Sequence, residues 1–158
     1  MFHFTPIDYH QRTPEPNLQF PRENYTKRQL DVVHYSLYNP DAFEDITDLD
    51  PLVYSEDHMA AIMFTNRKIN NIDISDLDPL KYNPVQLQYI INARAAGVSE
   101  DIIIMLDPAR YDNDQMLIII AGARSDKVMA DVSDLDPVTH DYKSMLTISV
   151  NRSKKAKK

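Results

Sequence analysis

Three sets of residues in this 158-residue chain have the types and spacing to do chemistry. The first is acidic. Asp48-Leu49-Asp50, Asp76-Leu77-Asp78 and Asp134-Leu135-Asp136 repeat an Asp-x-Asp pattern, and Asp107 stands in the related Leu106-Asp107-Pro108. Two carboxylates one residue apart can hold a divalent cation, as in glycosyltransferases, and Asp73, Asp76 and Asp78 crowd as calcium ligands do. An active site is needed once, however, and this pattern recurs at the same point of a longer repeat. The ligand spacing and the glycine of an EF-hand are also missing. These aspartates are therefore expected to cap turns or form solvated corners, without a metal.

The second set is Arg67, Arg94, Arg124 and Arg152, at near-equal intervals. Such a ladder could face phosphates or carboxylates along one edge. Its simpler reading is a cation near each helix C-terminus, offsetting the helix dipole at a few tenths of a kcal/mol each. The third set, His3, His10, His34, His58 and His140, contains no i, i+4 pair of the kind metals use. No serine lies in a Gly-x-Ser-x-Gly elbow, and no glycine-rich phosphate loop is present. We expect no catalytic residue and no cofactor.

The elements that position these residues follow from an internal repeat. Tyr25, Tyr54, Tyr82, Tyr111 and His140 are spaced by 29, 28, 29 and 29 residues. Four positions after each comes Gln29, His58, Gln86, Gln115 or Ser144, and five after comes Leu30, Met59, Leu87, Met116 or Met145. Val33, Ile62, Ile90, Ile119 and Ile148 follow at eight, and Ser36, Thr65, Ala93, Gly122 and Asn151 at eleven. One residue past the tyrosine stands Thr26, Ser55, Asn83, Asp112 or Asp141, each a good N-cap. Gln29, Gln86 and Gln115 complete capping boxes, and Pro84 sits at a first helical position. The tyrosine precedes the cap, where the Leu or Met five residues on can pack back against it. The small residue at eleven would let a neighbouring helix approach. Gly97-Val98 reads as a left-handed cap closing the third helix.

The rest of each unit is shorter: Phe43, Ile46 and Leu49; then Ile72, Ile74 and Leu77; then Ile102, Ile103, Met105 and Leu106; then Val128, Val132 and Leu135. Each runs into an Asp-Pro corner and reads as a short second helix or a turn. A helix of about 12 residues cannot bury its apolar face alone, so neighbouring units must stack. The expected fold is all-α: an α-solenoid of five 28–29-residue helical repeats over residues 25–152, with an extended N-terminal strap (residues 1–24) and a basic tail (residues 153–158). Pro6, Pro14, Pro16 and Pro21 exclude a long helix from the strap, whose Phe2, Phe4, Ile7, Tyr9, Leu18 and Phe20 are too apolar for a free tail.

The third unit reads Gln86-Leu87-x-x-Ile90-x-x-Ala93-x-x-x-Gly97-Val98, then Leu106-Asp107-Pro108-x-x-Tyr111. This string resembles short tandem helical repeats of the Gln-Met-x-x-Ile…Gly…Asp-Pro-x-x-Tyr type, found in uncharacterised proteins from mobile elements and phages of Gram-positive bacteria. The resemblance covers residues 25–150. It departs at the second glycine of other units, where residues 68–71 and 125–127 stand instead. What the resemblance implies is a repeat architecture in a mobile-element setting; it implies no enzymatic activity.

Composition narrows the function classes. Apolar residues make up 43% and charged residues 26%, as in globular proteins. No cysteine is present, which suits a reducing cytoplasm, and neither a secretion signal nor a membrane span is read from the sequence. The net charge of −7 is split: without Lys154, Lys155, Lys157 and Lys158 it would be about −11. An acidic body repels bare nucleic acid and favours basic partners. We therefore expect a non-catalytic cytoplasmic protein that binds a partner with a basic surface, through Asp48, Asp50, Asp76, Asp78, Asp107, Asp134, Asp136 and the four arginines. With the mobile-element setting, the specific expectation is an inhibitor of a host nucleic-acid-handling defence, such as a restriction or CRISPR effector. The alternatives are a nucleic-acid-binding accessory protein using the arginine ladder and lysine tail, and a self-assembling structural protein.

Overall fold

The computed structural model describes residues 16–126 and 129–158. Among them are six α-helices and no strand: α1 (Lys27–Tyr38), α2 (Glu56–Met63), α3 (Pro84–Ala95), α4 (Glu100–Met105), α5 (Asn113–Ala123) and α6 (Tyr142–Ala156). The all-α expectation holds. Residues 1–15 of the expected strap lie outside the described residues. Of its remainder, Leu18 and Phe20 pack on the core, and Arg22–Asn24 form a single 3₁₀ turn leading to Tyr25.

All five expected caps begin helices. The side chains of Thr26, Ser55, Asn83, Asp112 and Asp141 each accept the backbone N–H three residues on. In α1, α3 and α5 the glutamine returns its Oε1 to the cap residue's N–H at 2.8, 3.1 and 3.0 Å. Each cap contributes roughly 1 kcal/mol and sets where its helix starts. The helices pack in chain order: α1 on α2, α2 on α3, α3 on α4 and α5, α5 on α6. Their facing side chains are those of the repeat. Leu30, Met59, Leu87, Met116 and Met145 are buried, as are Val33, Ile62, Ile90 and Ile119. Ile148 is only partly covered.

The second halves divide. Among the described residues only the third is helical, as α4, capped by Ser99. In the first, second and fourth units an aspartate folds the chain on itself. Asp45, Asp73 and Asp131 accept the N–H of Thr47, Ser75 and Ser133 at 2.8, 2.9 and 2.8 Å. Such side-chain-to-backbone bonds offer the chain an alternative to helix. The third unit has Ile102 in that place and takes the helical course.

Gly97 adopts φ 74°, and Val98 N–H donates to the Ala93 carbonyl at 3.0 Å, closing α3 as expected. Where the resembling pattern would put glycine in the second unit, Asn71 takes φ 53° and Ile72 N–H reaches the Arg67 carbonyl at 2.8 Å. Asparagine is among the few residues that visit this region readily. Gly122 corrects one expectation. What approaches it is a backbone loop rather than a helix: a Cβ there would lie 2.6 Å from the Ala130 carbonyl oxygen and 3.0 Å from Asp131 Cα. Backbone cannot yield as a side-chain tip does. Gly122→Ala should therefore cost about 1–3 kcal/mol in urea unfolding although alanine is the better helix former; a stabilised variant would refute the close approach.

Candidate functional site

Two clusters gather the residues of interest at opposite ends of the helices. At the N-terminal ends lie the Asp-Pro turns. The carboxylates of Asp50, Asp78, Asp107 and Asp136 accept the N–H of Leu52, Leu80, Ala109 and Val138 at 2.9, 2.9, 2.9 and 3.1 Å. Their carbonyls accept the N–H of Tyr54, Tyr82, Tyr111 and His140 at 2.9, 3.0, 3.0 and 3.0 Å. The side chain thus pins the turn that delivers each unit's first residue.

The glutamines extend this cluster in a way the capping box does not foretell. Their Nε2 donors cross to the following turn: Gln29 to the carbonyls of Pro51 and Tyr54 at 2.9 and 2.8 Å, and Gln115 to those of Pro137 and His140, both at 2.9 Å. Gln86 reaches the Tyr111 carbonyl at 3.2 Å, and His58 Nε2 the Tyr82 carbonyl at 2.8 Å. Each amide therefore caps its own helix with its oxygen and ties the next turn with its nitrogen. The signal was present, since a box accepts Glu as readily as Gln, yet the chain uses only residues with a donor to spare. His58 Nδ1 meanwhile contacts the hydroxyl of Ser55, the N-cap of its own helix, at 2.7 Å. Tyr25 and Tyr111 are buried, while Tyr54, Tyr82 and His140 are half-buried.

At the C-terminal ends the arginines do not merely offset helix dipoles. Arg94 and Arg152, from α3 and α6, and Arg67, from the turn after α2, grip the preceding corner. Arg67 Nη2 holds both oxygens of Asp48 at 2.9 Å while its Nε holds Glu44 at 3.1 Å. Arg94 forks onto Asp76 at 2.9 and 2.7 Å, and donates to Glu100 at 3.0 Å and to the Asp73 carbonyl at 2.8 Å. Arg152 repeats this on Asp134 at 2.6 and 2.9 Å and on the Asp131 carbonyl at 2.8 Å. Arg124 breaks the series because Met105 stands where the other corners have their first aspartate. It pairs instead with Asp126 at 3.2 Å, half-exposed.

These pairs tune their members. Burial alone would raise the Asp48 carboxyl, but hydrogen bonds from Arg67 and Lys68 outweigh it and hold the group below the usual carboxylate range. Hydrogen bonds from Arg94 and Arg152 lower Asp76 and Asp134, and Asp76 in turn raises Arg94. Asp73 faces Ser75 N–H and does not turn toward Asp76 and Asp78 as a shared ligand set would. Among the described residues no group of three or more His, Asp or Glu is placed to hold a metal ion.

Comparison with protein-family models, with curated proteins and with solved structures finds no match to this chain. Among the described residues no helix is long and apolar enough to cross a membrane. One further surface went unread in the sequence. The residue after each Asp-Pro points outward, and Leu52, Leu80 and Val138 are 72%, 92% and 80% exposed.

Proposed function

We propose that this chain is a five-unit α-solenoid that acts as a non-catalytic protein-binding scaffold, engaging a partner with a basic surface. The engagement of the arginine ladder carries this reading. Three of its four guanidiniums are already forked onto aspartates, which leaves little of the ladder to meet phosphates. The outward charge that remains is dominated by carboxylates such as those of Asp107 and Asp136, and by Asp76 and Asp134, whose side chains stay more than half exposed beside their arginines. A basic protein patch, of the kind that otherwise holds nucleic acid, is the natural complement. Together with the resemblance to mobile-element repeats, this favours an inhibitor of a host nucleic-acid-handling defence.

A second reading, binding of nucleic acid by the tail, is favoured by one observation. Helix α6 runs to Ala156, so Lys154 and Lys155 form an exposed cationic last turn. Replacing Lys154, Lys155, Lys157 and Lys158 by Gln separates the two readings while keeping residues that tolerate helix. We expect capture of a basic host protein to persist or strengthen in the variant, to weaken with salt, and to be accompanied by no gel shift of DNA or RNA. A gel shift by the wild type that vanishes in the variant, with no protein captured, would replace the scaffold reading by the nucleic-acid one.

A further inference from the structure

The residue after Asp-Pro contributes only its N–H to the turn, so its side chain is free of structural duty. A polar residue would serve as well. Three of the four such positions nevertheless carry large aliphatics, Leu52, Leu80 and Val138, at 72%, 92% and 80% exposure. A single exposed leucine means nothing. These three are not scattered, because successive turns are tied side by side by the Gln29, His58, Gln86 and Gln115 donors. They therefore form one row along the N-terminal edge of the helices. Val53, next to Leu52, and Val85, in the first turn of α3, are also 49% and 39% exposed.

We propose that this edge docks a cationic protein segment and that Leu52, Leu80 and Val138 are the apolar anchors it covers; the inference rests on the protein-binding reading above. Charge selects the occupant. The four turn-and-cap segments, residues 50–57, 78–85, 107–114 and 136–143, hold nine carboxylates (Asp and Glu) against three lysines and arginines, a net of −6. A second copy of the same edge would bring like charge to like, and a phosphate backbone would be repelled. A cationic polypeptide is attracted, and its aliphatic side chains remove the row from water.

Geometry restricts its form. Packed helices lie about 8–10 Å apart, so the anchors recur on that scale. Seven residues of α-helix advance about 10.5 Å and return to the same face. A β-strand returns to one face at about 6.6 or 13 Å and misses the interval. The third turn carries Ala109, beside an open depression of about 720 Å³ lined by Asn83, Arg110, Asp112 and Asp114, which leaves room for a larger side chain of the partner.

The test uses the full chain and two synthetic Lys- and Ala-rich peptides of about 28 residues, four heptads. One has Leu at every seventh position; the other has the same composition with its leucines clustered. By fluorescence anisotropy the periodic peptide should bind the wild type at least about tenfold tighter than the clustered one. Leu52→Asn/Leu80→Asn/Val138→Asn should abolish that preference with an unchanged melting temperature, and Leu80→Asn alone, at a site too exposed to affect folding, should reduce it. Equal binding of the two peptides by the wild type, or a preference that survives the substitutions, would overturn the proposed surface. In the lysate capture described above, a triple variant that captures the same basic protein as the wild type would reject this edge while leaving the scaffold reading standing. A wild type that captures none would reject the reading on which the edge depends.

Discussion

Gln115→Glu should destabilise the protein by about 3–5 kcal/mol at pH 7, a large effect for the exchange of one amide nitrogen for oxygen. Gln115 is 5% exposed, close to Gln29 and Gln86 at 4% and 5%, and its amide oxygen and nitrogen are both hydrogen-bonded. The oxygen accepts Asp112 N–H at 3.0 Å, and the nitrogen donates to the Pro137 and His140 carbonyls at 2.9 Å. A carboxylate keeps the first bond, since Glu completes a capping box as well as Gln does. It loses both donors and sets a negative charge against two carbonyl oxygens in a buried site. By cap chemistry alone the substitution would be neutral, so the measurement isolates the tie to the next unit.

The sign with pH is fixed. Burial and the facing carbonyls raise the folded-state pKa of the new carboxyl above its unfolded value of about 4.3, so the protonated form is the one the fold tolerates. The charge penalty should be absent below that value and should grow as pH rises through it. Urea unfolding of variant and wild type at pH 4 and pH 7 should show the difference between them widening toward neutrality. A variant equal to the wild type at pH 7 would show that the amide nitrogen holds no inter-unit contact of consequence, and a loss that does not change with pH would trace it to the missing donors and not to a buried charge.

Arg67→Met should cost about 3–5 kcal/mol at neutral pH, because it leaves carboxylates without their cation rather than because an ion pair is lost as such. The Arg67 side chain is 9% exposed, and its partners Glu44 and Asp48 are 5% and 29% exposed. Methionine preserves much of the volume. Two nearby carboxylates then face each other with only Lys68 close by, at 3.0 Å from Asp48. Removing the charges as well, in Arg67→Met/Glu44→Gln/Asp48→Asn, should recover most of the loss. Failure of that recovery would mean that packing of the guanidinium, and not charge, stabilises the corner.

Acid provides the second readout. In the wild type the Asp48 carboxyl is held below its unfolded value of about 3.9, so its contribution is present above that pH and is lost as pH falls through the folded value. Without the arginine, burial pushes the same carboxyl upward, and protonation relieves the variant. The difference between variant and wild type should therefore shrink below about pH 4. Arg152, at the equivalent place but 39% exposed, should give a smaller effect with the same sign.

The contrast between these sites separates what was legible in the sequence from what was not. The five caps, the aliphatic face and the closing turn at Gly97 obey rules that operate within one or two turns of helix. Thr26 and Gln29 need only each other, and Leu30 and Val33 share a face by period alone. The twenty-eight- to twenty-nine-residue recurrence multiplied that signal fivefold, which is why the all-helical character and the starts of five helices could be read residue by residue. The same reasoning identified the aspartates and arginines but not their use. Arg67 meets Asp48 across 19 residues, Arg94 meets Asp76 and Arg152 meets Asp134 across 18, and Gln115 meets His140 across 25. No local propensity acts at that range; only the docking of one unit on the next brings the groups together. Whether a second half becomes α4 or a turn likewise depended on one Asp side chain finding a backbone N–H two residues away. The exposure of Leu52, Leu80 and Val138 was invisible for the opposite reason. An aliphatic residue reads as core until the turn's own hydrogen bonds, and the neighbouring turns on either side, have settled which way it points.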